Sequence, residues 1–337
     1  NHHSSNGRYS NGVFIVNEGS FGANNGSISF YDPDSMLVIN NIFEAVNGRP
    51  LGDVVQSMAI AGDKGYIVVN GTGKVEIVQI DSFKTTAEPI IVTYPRYFIP
   101  VDDNKGYLTA GSMEGSVYVI DLKSDIITDT IKVGFGPETM TKVGHKVYVA
   151  NSGGWSVDST VSIINANSDM VTGNIIVGDV PVDMAVDKDN NLWVYCKGYA
   201  MYNWNPPYNL ISETEAKIVK INTASNTVEL KITVGTAGQY TSTPPHLAAN
   251  KDGDAIYFLR QDGLYKMNIT EEAMPPQPVV TGSFYGLDVN PKTGEIFLFE
   301  STFTGNGTMF IVDPVTLEIN NYIVGIGPNS AIFYLNE

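Results

Sequence analysis

A unit of four short β-type runs recurs along the chain about every forty residues. It is clearest between residues 140 and 181, where the runs lie at 140–143, 146–151, 160–165 and 171–177. Val, Ile, Thr and Tyr dominate the runs, whereas Gly, Asn, Asp and Ser fill the gaps, as expected for strands and their turns. Four strands of this length form an antiparallel meander that cannot bury both of its faces alone. The chain therefore has to pack several such units against one another.

Seven copies of the unit can be aligned on the first hydrophobic residue of each. Successive copies are separated by 40, 42, 44, 63, 40 and 44 residues, a spacing typical of four-stranded propeller blades. The second strand of the unit recurs as GYIVVNG, GYLTAG, KVYVAN, NLWVYC, AIYFLR and EIFLFE. The aligned residues are Met58, Phe98, Met140, Met184, Leu247, Leu287 and Ala331.

The two ends of the chain complete one unit between them. Residues 331–335, AIFYL, resemble a first strand with no second strand after it, and residues 12–46 supply GVFIVNE, SISFYD and a run at 38–43. Joining them leaves no exposed sheet edge. The sequence thus predicts an all-β fold, a seven-bladed β-propeller of four-stranded antiparallel blades whose ring is closed by the C-terminal strand joining the N-terminal blade. It predicts one propeller domain over 12–337 and a flexible N-terminal tether over 1–11 without core residues.

The charge of the chain bears on its partners. The formal net charge is −16 and the isoelectric point is about 4.6, which argues against nucleic acid as a partner and against adsorption to an anionic membrane. No apolar run approaches the ~20 residues that span a bilayer. Because the chain does not begin with Met, we expect a processed or truncated N-terminus, with a signal segment removed in the processed case.

Sequence patterns typical of catalytic and metal sites are missing. The four histidines form no His-x-x-x-His or His–carboxylate cluster, and the acidic turns DDNKG, DKDNN and NKDGD lack a calcium-loop pattern. There is no G-x-S-x-G elbow and no phosphate-binding glycine pattern. We therefore expect no catalytic residue, no metal site and no cofactor, and we interpret the single cysteine, Cys196, as a structural thiol. An acid–base pair of carboxylates stays open, because a propeller brings distant loops together, and the candidates for it are Glu18, Glu138 and Glu300.

Aromatic residues concentrate in one set of loops. The loops from second to third strand, and from the last strand to the next blade, are expected to open on the same face. These loops carry most of the aromatic side chains that lie between strands, whereas the other turns are built from Asp, Asn, Lys and Gly. We expect about half of the rings to pack between blades and the others to form a recognition surface. The candidate ligand-binding residues are Phe21, Asn24, Tyr94, Arg96, Phe135, Trp155, Tyr199, Tyr202, Trp204, Tyr208, Tyr240, His246, Phe284, Tyr285 and Phe303.

The longest repeat owes its length to an insertion at 196–217. The insertion combines four aromatic rings with two prolines and three asparagines. Long loops on a rigid scaffold are where binding function concentrates, and Pro206 and Pro207 reduce the entropy lost when the rings are held in place. We therefore predict that residues 199–208 project over the mouth of the ring and contact a ligand.

The segments KVYVAN, STVSIINA and VGDVP resemble the YVTN-type repeats of surface-layer and YncE-like propellers, and this likeness extends over residues 11–337. The opening NGVFIVNEGSFGANNGSISFYDP and the long insertion are similar to the BtuG family of cobalamin-binding surface lipoproteins. That resemblance implies non-catalytic capture of cobalamin or a related corrinoid, which is a ligand and not a cofactor. It also implies export to the outer-membrane surface, a lipid anchor on an upstream cysteine, and hand-over by a monomer to a BtuB-type TonB-dependent transporter.

Two other functions stay open on the residues themselves. A surface-layer propeller that binds carbohydrate or protein would also use aromatic platforms, because rings stack on sugars. A metal-dependent lactonase or lyase is the third hypothesis, and the scarcity of histidine counts against it.

Overall fold

The computed structural model describes residues 7–240 and 243–336, with the side chains of residues 239 and 240 outside this description. It confirms the predicted fold, a seven-bladed β-propeller of four-stranded antiparallel blades. The chain divides into two compact units. The first comprises residues 7–110, 118–130 and 295–336, and the second comprises 111–117 and 131–294.

The strands follow one another with short connections. In the first part of the chain they are β1 (Gly12–Asn17), β2 (Ser27–Asp32), β3 (Leu37–Ile39), helix α1 (Ile42–Asn47), β4 (Val55–Ala61), β5 (Lys64–Val69), β6 (Lys74–Gln79), β7 (Ile90–Ile91), β8 (Pro95–Pro100), β9 (Lys105–Ala110), β10 (Gly115–Asp121), β11 (Ile126–Val133), β12 (Pro137–Val143), β13 (Lys146–Asn151), β14 (Thr160–Asn165) and β15 (Met170–Ile176).

The remaining elements are β16 (Pro181–Val186), β17 (Asn191–Cys196), β18 (Ala200–Tyr202), β19 (Leu210–Glu213), β20 (Glu215–Asn222), β21 (Thr227–Thr236), a 3-10 helix (Ala237–Tyr240), β22 (Leu247–Ala249), β23 (Ala255–Arg260), β24 (Gly263–Asn268), β25 (Val280–Thr281), β26 (Gly286–Val289), β27 (Ile296–Glu300), β28 (Asn306–Val312), β29 (Ile319–Ile326) and β30 (Pro328–Tyr334). The blades have the strand orders β4-β5-β6-β7, β11-β10-β9-β8, β12-β13-β14-β15, β16-β17-β20-β21, β22-β23-β24-β25, β26-β27-β28-β29 and β3-β2-β1-β30. Strands β18 and β19 form a separate two-stranded sheet. Among the described residues, no helix is long and apolar enough to cross a bilayer.

The blade within the first unit that joins the two ends of the chain is paired as predicted. Strand β30 is antiparallel to β1, with Ile15 opposite Ala331 and Val13 opposite Phe333. Strand β1 is buried on both faces, because Phe14 contributes to one apolar cluster and Ile15 to another. This double burial explains why GVFIV is a nearly continuous hydrophobic run instead of an alternating one.

A Lys-x-Tyr pattern at the start of a second strand anchors one blade to the next. In the first unit, Lys64 forms an ion pair of 2.7 Å with Asp125, whose other oxygen accepts a hydrogen bond from the Tyr66 hydroxyl. In the second unit, Lys146 donates to the carbonyl of Thr223 (2.6 Å) and Tyr148 donates to the side chain of Asn226 (2.7 Å). The repeated pattern therefore has a structural role.

The run at 38–43, predicted to be a strand, is a strand only as far as Ile39. Asn41 adopts a left-handed conformation (φ 53°) that ends the extended backbone, and helix α1 begins at Ile42. Ile42 and Phe43 are both buried in the core, which two successive residues of a strand with one solvent-facing side cannot achieve. The strand prediction was therefore wrong over residues 42 and 43.

The prediction that residues 1–11 contain no core residue is wrong at Tyr9. Its ring is buried and packs edge-on against Phe30 and Phe83, with centroid separations of 5.2 and 5.9 Å. Its backbone N–H donates to the carbonyl of Asp81 (3.0 Å). Tyr9 thus closes one end of the apolar cluster that surrounds Phe14.

Candidate ligand-binding site

A cavity of about 450 Å³ lies within the second unit. Its walls come from the loop after β13 and from the insertion that follows β17. A volume of this size is typical of small-molecule sites. The lining residues are Ser152, Gly154, Trp155, Ser156, Val180, Lys197, Gly198, Tyr199, Ala200, Met201, Tyr202, Trp204 and Ala237.

The loop that carries Trp155 is held by its backbone. The N–H of Trp155 donates to the carbonyl of Ser112 (2.7 Å), and the N–H of Gly153 donates to the carbonyl of Phe135 (2.8 Å). A Cβ on Gly154, which has a φ of +58°, would lie 1.9 Å from the Ser112 carbonyl oxygen. Glycine therefore allows the two backbones to meet, and these backbone contacts hold the loop in place.

The insertion forms a β-hairpin outside the blades. Ala200 pairs with Glu213, and Tyr202 pairs with Leu210. At the base of the hairpin, the Thr214 hydroxyl accepts the N–H of Tyr199 (2.9 Å) and donates to Asp179 (2.9 Å).

A carboxylate ties the second strand of the hairpin to the 3-10 helix. Glu213 Oε2 accepts the N–H of Gly238 at 2.8 Å. A Cβ on Gly238 would lie 3.6 Å from the Tyr202 hydroxyl oxygen, so the hairpin and the helix are in close approach. These contacts position the side chains of the hairpin over the cavity.

The aromatic walls of the cavity are unusually exposed. Trp204 and Trp155 expose 92% and 76% of their surface, and Tyr202 and Tyr199 expose 40% and 37%. Large exposed rings grouped on an acidic protein mark a recognition surface. Tyr and Trp are suited to this role because each joins an apolar ring to a polar NH or OH group.

Lys197 is the only charged residue among the described residues that line the cavity. It is half-buried, and burial lowers the pKa of its ammonium group. Lys197 was not among the residues that the sequence predicted to bind a ligand. Its one signal is its position, immediately after the buried strand NLWVYC and at the start of the insertion.

The neighbouring Cys196, interpreted from the sequence as a structural thiol, is buried. Burial raises the pKa of its thiol to about 12, so the thiolate, which is the nucleophilic form, is scarce at neutral pH. Among the described residues, no group of three His, Cys, Asp or Glu side chains is arranged to hold a metal ion.

Four of the predicted ligand-binding residues, Trp155, Tyr199, Tyr202 and Trp204, meet at the cavity. In the same unit, Phe135 and Tyr208 are exposed but do not line it, and Tyr285 is half-buried. The ring of His246 lies 3.3 Å from Asp183. Phe284 is buried against Gly282. The side chain of Tyr240 lies outside the described residues.

The other five predicted ligand-binding residues belong to the first unit. Phe21 and Asn24 are exposed on the loop after β1. The guanidinium of Arg96 lies 5.5 Å from the centroid of the Tyr94 ring and donates to Gln56 (2.9 Å). Phe303 is half-buried, and its carbonyl accepts a hydrogen bond from the Ser20 hydroxyl (2.6 Å). Tyr94 and Arg96 thus already contact partners within the protein.

Solved structures with the same fold have low sequence identity to this chain. A protein from Bacteroides thetaiotaomicron described as quinonprotein alcohol dehydrogenase-like is 18% identical with a TM-score of 0.73, over 98% of this chain and 80% of its own. A protein of unknown function from Desulfotomaculum acetoxidans is 14% identical with a TM-score of 0.66, over 96% of this chain and 99% of its own. A protein from Lactobacillus plantarum is 14% identical with a TM-score of 0.64, also over 96% and 99%. At these identities the likeness establishes the fold alone.

No curated protein sequence matches the chain significantly. A protein family described as a domain of unknown function, DUF5074, matches residues 11–317. This match covers nine-tenths of the chain, so the protein belongs to the DUF5074 family.

Proposed function

We propose that the protein is a non-catalytic binding protein that captures cobalamin or a related corrinoid at the cavity beside the insertion hairpin. One observation carries this proposal, the cavity of about 450 Å³ walled by four exposed aromatic side chains. Exposed rings fixed on a rigid sheet scaffold lose little conformational entropy when a ligand covers them. The corrinoid class is suggested by the resemblance of the opening segment and the insertion to the BtuG family.

The chemistry of a corrinoid complements these walls. Its macrocycle has broad apolar faces, which the rings of Trp155 and Trp204 can cover. Its rim carries amide groups, which the hydroxyls of Tyr199 and Tyr202 and the side-chain amides of the hairpin asparagines can hydrogen-bond. A corrinoid is larger than the cavity, so the cavity would hold one edge of it while the two exposed indoles cover part of a face.

The proposed setting of this function is the outer surface of a Gram-negative cell. There the protein would be lipid-anchored and would pass the corrinoid to a BtuB-type TonB-dependent transporter. The net charge of −16 is compatible with this setting, because a strongly charged surface keeps a protein soluble and limits non-specific association.

Titration calorimetry with cyanocobalamin tests the proposal. We expect Trp155→Ala, Tyr202→Ala and Trp204→Ala each to cost roughly 1–4 kcal/mol of binding free energy if these residues are anchors. Ile176→Ala is the matched control, because Ile176 is a large exposed apolar residue of the same unit that does not line the cavity. Absence of heat, together with no cobalamin colour after desalting, would contradict the corrinoid proposal. Calorimetry with soluble oligosaccharides would then test the glycan-binding alternative.

A further inference from the structure

We propose that Lys197 binds an oxyanionic group, a carboxylate or a phosphate, on the ligand that enters the aromatic cavity. This inference deepens the proposed function and rests on the cavity being a binding site, but it does not depend on the ligand being a corrinoid. In a cobalamin, the phosphodiester of the nucleotide loop would be such a group.

The position of Lys197 is fixed by the strands beside it. It directly follows the buried strand β17, and its backbone N–H donates to the carbonyl of Val180 at 2.8 Å. The next residue, Gly198, donates to the carbonyl of Asp179 at 2.9 Å. Lys197 therefore lines the cavity from a rigid part of the backbone.

The ammonium group of Lys197 has no partner among the described residues. Other half-buried lysines of the same unit are satisfied, since Lys146 donates to the carbonyl of Thr223 and Lys220 donates to that of Ile269. Burying a charge without a partner is costly, and burial lowers the pKa of this group accordingly. The unpaired ammonium is thus an exception that the packing of the protein itself does not explain.

The carboxylates on adjoining segments are already bonded elsewhere. Asp179 accepts the Thr214 hydroxyl, and Glu213 accepts the N–H of Gly238. The remaining described walls of the cavity are aromatic, apolar or uncharged polar residues. An anion entering from solvent is therefore the group that would complete the hydrogen bonds of Lys197, and low polarity around the pair strengthens their attraction.

The aromatic rings beside Lys197 define the rest of the ligand. An oxyanion alone would leave Trp155 and Tyr202 uncovered, whereas a planar apolar body without the anion would cover the rings and leave the ammonium unpaired. The combination points to an oxyanion attached to a broad aromatic or conjugated body. The protein carries a strong net negative charge, which repels an anionic ligand at long range. Apolar contact between the ligand body and the aromatic rings would offset this repulsion.

Two fluorescent probes separate the contribution of the oxyanion to binding from that of the aromatic body. Anilinonaphthalene sulfonate has an aromatic body with a sulfonate oxyanion, and phenylnaphthylamine has the same body without it. We expect wild-type protein to bind the sulfonate more tightly. Lys197→Met should lower the affinity for the sulfonate probe by about tenfold or more, since tenfold is the lower limit for the loss of a hydrogen bond to a charged group. The affinity for the uncharged probe should not change. Lys197→Arg should retain most of the affinity for the sulfonate.

Two controls make the result specific. Lys217→Met removes a lysine of the same blade that is paired with Glu215 and does not line the cavity, so it should not affect either probe. The melting temperature of ligand-free Lys197→Met should equal or exceed that of wild type, because the substitution removes an unpaired, partly buried charge. Competition with phenyl phosphate and with benzoate then identifies whether a phosphate or a carboxylate is preferred, and displacement by either supports the inference.

The outcomes that overturn the inference are distinct from a failure of the proposed function. An equal loss of affinity for both probes in Lys197→Met would show that the lysine only packs against the ligand. Unchanged affinity for both probes would show that the lysine does not contribute to binding. Failure of wild-type protein to bind either probe would overturn the cavity as a binding site, and the inference with it. A normal probe result with no cobalamin binding would refute the corrinoid proposal and leave the inference standing.

Discussion

Replacing residues 198–213 with a Gly-Asn turn should remove the ligand-binding surface and leave the propeller folded. The connection between β17 and β20 comprises residues 197–214 and would shrink from eighteen residues to four. Shortening a loop by this factor reduces the entropy of closure by about 1.3 kcal/mol in favour of the folded state. The replacement also removes four hydrogen bonds to residues that remain. They join Gly198 to Asp179, Tyr199 to Thr214 in both directions, and Glu213 to Gly238. At about 1 kcal/mol each, their loss outweighs the entropic gain.

The two effects leave a net loss of roughly 3 kcal/mol in the free energy of unfolding. We therefore expect the melting temperature to fall by no more than ~4 °C. Binding should respond very differently, because the cavity loses Tyr202 and Trp204 together. If each is an anchor, the affinity for anilinonaphthalene sulfonate should fall at least tenfold.

Differential scanning calorimetry and a fluorescence titration on the same preparation measure both quantities. A loss of ten degrees or more in melting temperature would refute the reasoning, since it would mean that the hairpin is part of the structural core. Unchanged affinity for the probe would also refute the reasoning, because the hairpin would then make no contribution to ligand binding.

Three further changes test other parts of the structure. Deleting residues 331–337 removes the four pairs between Gly12–Ile15 and β30 and should cost at least about 4 kcal/mol, whereas deleting only 335–337 should be nearly neutral; equal melting temperatures would contradict the role of closure. Glu76→Gln should cost about 3 kcal/mol at pH 7, because hydrogen bonds from Arg49 and Lys74 outweigh burial and hold the pKa of Glu76 below its ordinary value. That stabilisation is present above the ordinary pKa of a carboxyl group and is lost as pH falls through the lowered one, so urea unfolding of the two proteins should converge in acid. Cys196 should react with a thiol reagent only after unfolding, since burial raises its pKa to about 12, and rapid labelling of native protein would contradict this.

The fold could be predicted because its blades repeat a pattern that depends on local sequence. Each second strand is buried, so it keeps a run of Val, Ile, Tyr and Phe that is easy to align. Helix α1 escaped prediction because a helix of fewer than two turns with two buried residues, Ile42 and Phe43, has no measurable period. Tyr9 escaped because its burial depends on Phe30 and Phe83, which are distant in sequence.

The site could be predicted only in outline. Loop aromatics such as Trp155 and Trp204 stood out because exposed rings are rare, yet nothing in the sequence distinguished them from Phe284, whose ring folds back over Gly282. Lys197 could not be recognised at all. A lone lysine after a strand is ordinarily solvated, and here its environment is set by the hairpin that lies beside it in the folded chain.

The pairing of β1 with β30 also determines when the protein can finish folding. Val16 and Ser330 are partners, so strand β1 must wait for a strand that lies about 300 residues later in the sequence. At about 5–20 residues per second, a ribosome takes tens of seconds to add the intervening chain. Throughout that time one edge of GVFIV lacks its neighbour and can pair with other chains. A product terminated before β30 would keep that edge open, so full burial of β1 requires that β30 has been synthesised.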